Sequence, residues 1–439
     1  MEESCLNTAI ANAVNFLKQN QLPHGEFRSY IASNEAMKGR CTLESCTGVT
    51  SCVLYSLQFL DSPEIGAMKG AAANFLIEEM TPPGIWKYWS SKFSMTIDPD
   101  VDDTVLASVV LRDLCPDIRE ERNFDILLRN RNQDGLFLTW IRKAGDRNDV
   151  DSVVNANAVL YLGEKDETKV VCEYLNTVIA EHRESETYYY YLDDLALYHA
   201  VSRAYMNGVT SLGISRDAVI SRIADSRRGD GSWGNELVTA LALCSLHNFQ
   251  CNDIGLFSRS VEYLLASQRS DGGWDRRAFS RGPEPPAPYS AWAGSEELTT
   301  AFCLEALARY QALAPREGPE RKAREDTHSK QREEKQVNGE MRDRPYMNKR
   351  FARSDSIVSR SIAGECILVP IRQKGEDVDS IYALNEVASR VWELIDGERT
   401  MEEVGDHIVA EYDVAPEVAE QDMVELLMQL ESVGAVKEV

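Results

Sequence analysis

Five times along the chain an apolar helical run ends in a polar turn and then Gly-x-Trp or Gly-x-Phe. The segments are NFLKQNQLPHGEF (15–27), NFLIEEMTPPGIW (74–86), ILLRNRNQDGLF (126–137), SRIADSRRGDGSW (221–233) and YLLASQRSDGGW (263–274). The shared glycines are Gly25, Gly84, Gly135, Gly231 and Gly272, spaced by 59, 51, 96 and 41 residues. The interval of 96 is about twice the others and hides a sixth unit. VVCEYLNTVIAEHRESETYYYY (170–191) fills it with an amphipathic helix whose turn lacks Gly-x-Trp. A repeat of this kind means units that bury their apolar faces only by stacking on one another.

After each turn comes a second, more apolar stretch, at 46–60, 102–114, 153–164, 195–205, 235–249 and 297–311. Apolar residues on nearly every face predict helices buried on most sides, with the amphipathic helices outside them. Six outer–inner hairpins closed into a ring give an (α/α)6 toroid over 1–313, which needs no capping repeat. In the turns, glycine supplies backbone freedom and the aromatic covers the helix end, so they mark architecture rather than chemistry.

Residues 314–350 are rich in both charges and nearly empty of aromatic and β-branched residues, the composition of a flexible charged linker. Over 351–439 the pattern changes. Ile357–Ile362, Glu365–Ile371 and Ser380–Leu384 read as strands, the first two hinged at Ala363-Gly364. Helices follow at 385–395, at 400–411 (capped by Thr400 with Glu403) and at 416–433. The expected fold class is therefore mainly α: a toroid plus a small C-terminal α+β, winged-helix-like domain.

Charge narrows the partners. The chain carries 71 acidic and 47 basic residues, a net −24, and residues 351–439 alone hold twenty acids against seven bases. Neutralising phosphates takes clustered Lys and Arg, so nucleic acid is excluded as a partner. The start, MEESCLNTAIANAV, has no signal-peptide pattern, and no apolar run approaches the ~20 residues that span a bilayer. Ten scattered cysteines without a CxxC pair fit a reducing, cytoplasmic location.

The strongest chemical signal is Asp100-Val101-Asp102-Asp103-Thr104 at the start of an inner helix. Crowded carboxylates cannot all ionise cheaply, so one holds its proton near neutral pH. Inside an apolar barrel such a group is a general acid able to protonate an alkene. Acids in a first helical turn also serve as caps, which is the competing structural reading. The other inner-helix entrances are acidic too: Asp149, Asp151, Asp193, Asp194, Glu236, Glu296 and Glu297. Lying at one end of a toroid they would form a rim suited to magnesium–diphosphate or a cationic peptide, with no dedicated metal site. Aromatics near the same turns, Trp86, Tyr88, Trp89, Trp140, Tyr188–Tyr191 and Trp292, offer faces that stabilise carbocations. With Asn155, the residues Trp86, Trp89, Trp140, Asp149, Asp151, Asp193, Asp194, Trp292 and Glu297 are the expected pocket lining.

The Gly-x-Trp turns resemble the QW motifs of squalene–hopene cyclase-like terpenoid cyclases, most closely at 225–235 and 267–275. Asp100–Thr104 is similar to that family's DxDD motif. The resemblance spans about 1–313. It implies that Asp102 is the acid that protonates an isoprenoid double bond or epoxide, with Asp100 and Asp103 orienting and polarising it. Class II cyclases place their cavity between two such helical domains, and this chain carries one, which points to a homodimer or a partner. Asn148-Asp149-x-x-Ser152 begins like the second metal motif of ionisation-dependent synthases, but Ala156 replaces its glutamate and no DDxxD occurs. Protein prenyltransferases share the toroid and carry zinc. Here Cys244-x-x-His247-x-x-x-Cys251 is the local candidate, without the Asp-x-Cys element, and lanthionine-cyclase zinc signatures are absent.

Residues 351–439 resemble the PqqD-like family, which recognises leader peptides of ribosomally made, modified peptides, through 382–412 and 422–436. The resemblance implies a leader bound as an added strand at Ile381, Tyr382 and Ala383, with Val424, Leu427 and Met428 in the adjoining groove. Together the two halves read as a leader-guided peptide-modification enzyme: a class II cyclase-like or prenyltransferase-like toroid does acid-initiated cyclisation or isoprenoid chemistry. The alternative is a non-catalytic module that holds a peptide or lipid for a partner enzyme. A carbohydrate-active α/α barrel would leave the peptide domain idle.

Overall fold

The structure is a computed structural model. It describes residues 3–115, 121–251, 253–282, 287, 289–313, 349–354, 357–362, 365–370, 382–384, 386–412, 435–438 and the single positions 423, 426, 427 and 430. The chain divides into two compact units, Met1–Arg316 and Glu317–Val439. The proposed linker, 314–350, lies outside the described residues except for positions 349 and 350.

In the first unit the amphipathic runs become the outer helices α1 (Glu3–Asn20), α3 (Pro63–Glu79), α5 (Glu121–Arg129), α7 (Asp166–Ala180), α9 (Arg216–Ser226) and α11 (Ile254–Ser267). The apolar stretches become the inner helices α2 (Thr47–Leu57), α4 (Val101–Leu114), α6 (Ser152–Leu162), α8 (Asp194–Met206), α10 (Glu236–Asn248) and α12 (Glu296–Leu313). Every residue of α6 is buried. Each inner helix packs on the next, and α12 packs on α2, which closes the ring. The outer α1 lies against α12, so the two ends of the repeat meet.

The turns are built alike. The indole N–H of Trp86, Trp233 and Trp274 donates to the carbonyl ten residues back, on Leu76, Ile223 and Leu264, at 2.7–2.9 Å. Each indole thereby satisfies a carbonyl that the end of an outer helix leaves open. The aromatic's own backbone N–H donates to an inner-helix side chain: Phe27 to Thr50, Trp86 to Thr104, Phe137 to Asn155, Trp233 to Thr239 and Trp274 to Thr300. Gly272 has φ +90°, and a Cβ there would lie 2.4 Å from the Asn12 carbonyl oxygen of α1. The fourth unit instead has a short 3-10 turn, Glu184–Glu186, in which buried Glu184 accepts from Tyr198 and pairs with Arg222.

The all-helical expectation for this unit misses a four-stranded antiparallel sheet, in the order β2 (Cys41–Glu44), β1 (Ser29–Ala32), β4 (Ala291–Gly294), β3 (Ser280–Gly282). Its strands of three or four residues are too short to show a period of two. The β1–β4 pairing joins the first unit to the sixth at the N-terminal end of the inner helices.

The second unit has β5 (Phe351–Arg353) paired with β9 (Val436–Glu438), and a sheet ordered β6 (Ile357–Ile362), β7 (Glu365–Pro370), β8 (Tyr382–Leu384). The β5–β9 pair was not anticipated. Helix α13 (Glu386–Leu394) precedes α14 (Met401–Glu411), whose Thr400–Glu403 capping box forms as expected. Phe351, Val391, Trp392, Ile395, Val404 and Ile408 are among the residues of its core.

Candidate active site

Asp100 stands just before α4 as its N-cap: Oδ1 accepts from the Asp103 N–H at 2.7 Å, while Oδ2 is buried without a partner. The Asp103 carboxylate lies against Gly48 of α2, where a Cβ would approach its Oδ1 to 2.5 Å. Burial raises both carboxyls, and the neighbouring Asp100 charge drives Asp103 further up. Two such groups side by side keep a proton near neutral pH.

Asp102 is held separately and is only half-buried. Its Oδ1 accepts from Asn157 Nδ2 of α6 at 2.6 Å, and its Oδ2 accepts a short bond from the Tyr191 hydroxyl. Burial raises this carboxyl, against the pull of Tyr191, Asn157 and the Arg203 guanidinium. Asp102 is thus a carboxyl biased toward the protonated form and fixed in orientation by two donors. The expected orienting contacts from Asp100 and Asp103 are supplied instead by residues of the neighbouring units.

Asn157 and Tyr191 line a small cavity among the inner helices, together with His199, Arg203, Phe279 and Phe302. Arg203 Nη2 donates to Asn157 Oδ1 at 2.6 Å and the guanidinium stacks 4.7 Å from the Tyr55 ring centre. Among the described residues no carboxylate lies within ion-pair distance of it, and its Nε has no partner. Arg309, by contrast, pairs with fully buried Glu305 at 3.0 Å. Sequence reasoning passed over Asn157, His199 and Arg203. The signal for the last two was a His and an Arg four apart inside LALYHAVSRAY, charged or titratable residues in a mostly apolar inner helix.

None of the ten residues expected to line the pocket faces this cavity. Trp86 and Asn155 are fully buried pins of the turns. Trp89 donates to Glu44 at 2.8 Å. Trp140 donates to the Tyr190 hydroxyl, which donates to Asp149. Trp292 lies in β4, half-buried. Asp193 caps α8, and Asp194 accepts from Tyr188. Asp151 caps α6 and also accepts from the backbone N–H groups of Tyr189 and Tyr190. Burial raises its carboxyl to about 7 despite those donors.

The rim is not a free acidic cluster. Glu297 meets Arg28, Glu296 meets Arg276 and Glu236 meets Arg277. These arginines come from turns that the reading of helix starts did not consider. Among the described residues no group of three His, Cys, Asp or Glu is placed to hold a metal. Cys244 is core, and His247 packs 4.5 Å from the Phe257 ring.

In the second unit Tyr382 and Ala383 lie in β8, the edge strand of its sheet, paired on their inner side with Leu368 and Ile367. Leu427 is buried in the core of that unit rather than open in a groove. Ile381, Val424 and Met428 lie outside the described residues.

Residues 365–436 match the family of coenzyme PQQ synthesis protein D (PqqD), and residues 69–163 match the sesquiterpene cyclase astC-like C-terminal domain. Drimenyl diphosphate synthase of Streptomyces showdoensis is 29% identical over 241 residues, 50% of this chain and 43% of that synthase. The chain therefore spans less than half the length of the curated relative it matches. The type II terpene cyclase MstE from Scytonema superposes with a TM-score of 0.58 at 16% identity, over 71% of this chain and 100% of that one. A variant of it in complex with geranylgeranyl dihydroxybenzoate, its substrate, gives 0.55 at 17% identity, over 71% and 99%. No helix among the described residues is long and apolar enough to cross a membrane. The chain thus carries a helical unit with the fold of type II terpene cyclases and, over 365–436, a segment that matches the PqqD family model.

Proposed function

We propose that the chain is an acid-initiated terpenoid cyclase whose substrate is a prenyl chain presented on, or together with, a ribosomally made peptide. The observation that carries the reading is Asp102: a carboxyl pushed toward its protonated form and oriented by Tyr191 and Asn157, which both line a cavity with Phe279 and Phe302. The proton passes from Asp102 to an alkene carbon, and the cation that forms is stabilised by the faces of Phe279 and Phe302. Asp100 and Asp103 retain their shared proton beside it and anchor the start of α4. Drimenyl diphosphate and geranylgeranyl dihydroxybenzoate, named for the relatives, support a polyprenyl substrate class.

The PqqD domain supports a peptide partner, bound along β8 as an added strand. Carried on the same chain, it raises the local concentration of its peptide at the toroid to roughly millimolar if the connection spans both sites. The test compares farnesyl and geranylgeranyl diphosphates with the same prenyl groups attached to a peptide, using the full chain. Expected is acid-dependent consumption that Asp102→Asn lowers by about 10² or more. Full activity in that variant would make these acids caps only.

A further inference from the structure

Helix α8 places His199 and Arg203 one turn apart on the wall of the same small cavity, each only 3% exposed. His199 Nε2 has no hydrogen-bond partner, and its ring stands edge-on to Phe302 with centroids 5.4 Å apart. Leaving a buried polar atom unsatisfied costs about 1–3 kcal/mol, so such an atom in a cavity calls for an explanation. The cavity is also where the proton donor reports: Asp102 is bonded to Asn157, and Asn157 to Arg203. Both donors to the acid, Asn157 and Tyr191, therefore line the same cavity as the unfilled imidazole nitrogen.

We propose that His199 is the terminal base of the cyclisation, taking up through Nε2 the proton released when the last carbocation collapses to an alkene. The assignment rests on the acid-initiated reading above. Asp102 gives its proton to one alkene carbon, and C–C bond formation moves the positive charge along the chain. A C–H bond next to the final cation then breaks; its electron pair becomes the new C=C, and its proton goes to His199. Substrate and product are isomers. After product leaves, His199 returns its proton to solvent and Asp102 takes one up, so no oxidant or reductant enters.

The surroundings keep the two groups in the states this requires. Burial, then the Arg203 and Arg309 guanidiniums, hold the His199 imidazole well below its usual range, so its lone pair stays available at neutral pH. Burial shifts Asp102 the opposite way. Environments that drive two groups apart in this manner mark an acid and a base. A weak base suffices, because a C–H bond beside a carbocation is far more acidic than imidazolium.

The test uses the full chain with farnesyl and geranylgeranyl diphosphates, comparing wild type, Asp102→Asn, His199→Gln and His199→Phe. The phenylalanine keeps the ring volume without a lone pair. Expected in both His199 variants is a changed product distribution. The main olefin should fall by about ten-fold or more in favour of a hydroxylated or regioisomeric product. Consumption that Asp102→Asn abolishes, with product ratios unchanged in both His199 variants, would remove the base assignment and leave the cyclase reading standing. Absence of acid-dependent consumption in wild type would remove both. Loss of the cooperative melt in both His199 variants would make the residue a packing element and overturn the assignment.

Discussion

At the scale of single residues, the local motif was legible and its partners were not. Asp102 stands out in Asp100–Thr104, but its two donors lie 55 and 89 residues away, on α6 and before α8. No local pattern links them. Tyr191 donates to the carboxylate and so favours its ionised form. Tyr191→Phe should raise the Asp102 pKa further, slow turnover by about 10-fold or more and move the alkaline limb of the pH–rate profile upward. A rate profile that stays in place would place the hydroxyl outside the proton-transfer step. Asp151 acts one step behind. It caps α6 and ties down the backbone of Tyr189 and Tyr190, next to Tyr191. Asp151→Ala leaves several buried N–H groups unanswered and should cost about 2–4 kcal/mol in chemical denaturation.

At the scale of elements, the inner helices were legible because burial on all sides leaves them apolar throughout. The turns were legible because glycine and tryptophan each answer a specific demand: a left-handed backbone and an open helix-end carbonyl. The fourth unit was found by its spacing and its amphipathic helix, because its turn is built on Glu184, paired with Arg222 of α9, instead of on Gly-x-Trp. The short strands escaped notice, and with them the sheet that ties the first unit to the sixth. Gly272 closes the ring against α1, so Gly272→Ala combines left-handed strain with a clash on backbone and should cost about 3 kcal/mol or more. Gly39, also left-handed at φ +84° but with open space around it, should cost only about 1 kcal/mol on the same change. Equal losses in the two melts would remove the ring-closing contact from the account.

At the scale of the whole molecule, the toroid carries several buried carboxyls whose titration is coupled to folding. Asp151 and Glu297 are raised to about 7 from ordinary values of 3.8 and 4.5. The folded state therefore binds more protons than the unfolded one across that range, and this stabilisation is lost as pH rises through about 7. His199 and His247 are shifted down, so their contribution grows with pH and is complete above their ordinary 6.5. Above that point the carboxyls act alone. Calorimetry of the full chain should show the toroid's melting temperature falling between pH 6.5 and about 8. A flat or rising value would mean those carboxyls are ionised in the folded state.

The account's central claim is that a proton from Asp102 starts the reaction, and a solvent-isotope experiment addresses it directly. In deuterium oxide Asp102 carries deuterium, and the alkene it attacks forms a new C–D bond that does not exchange afterwards. Mass spectrometry of the product made by the full chain should find one deuterium per molecule at the initiating carbon, with no product from Asp102→Asn. A cyclised product free of deuterium at that carbon, or unchanged product from Asp102→Asn, would contradict it.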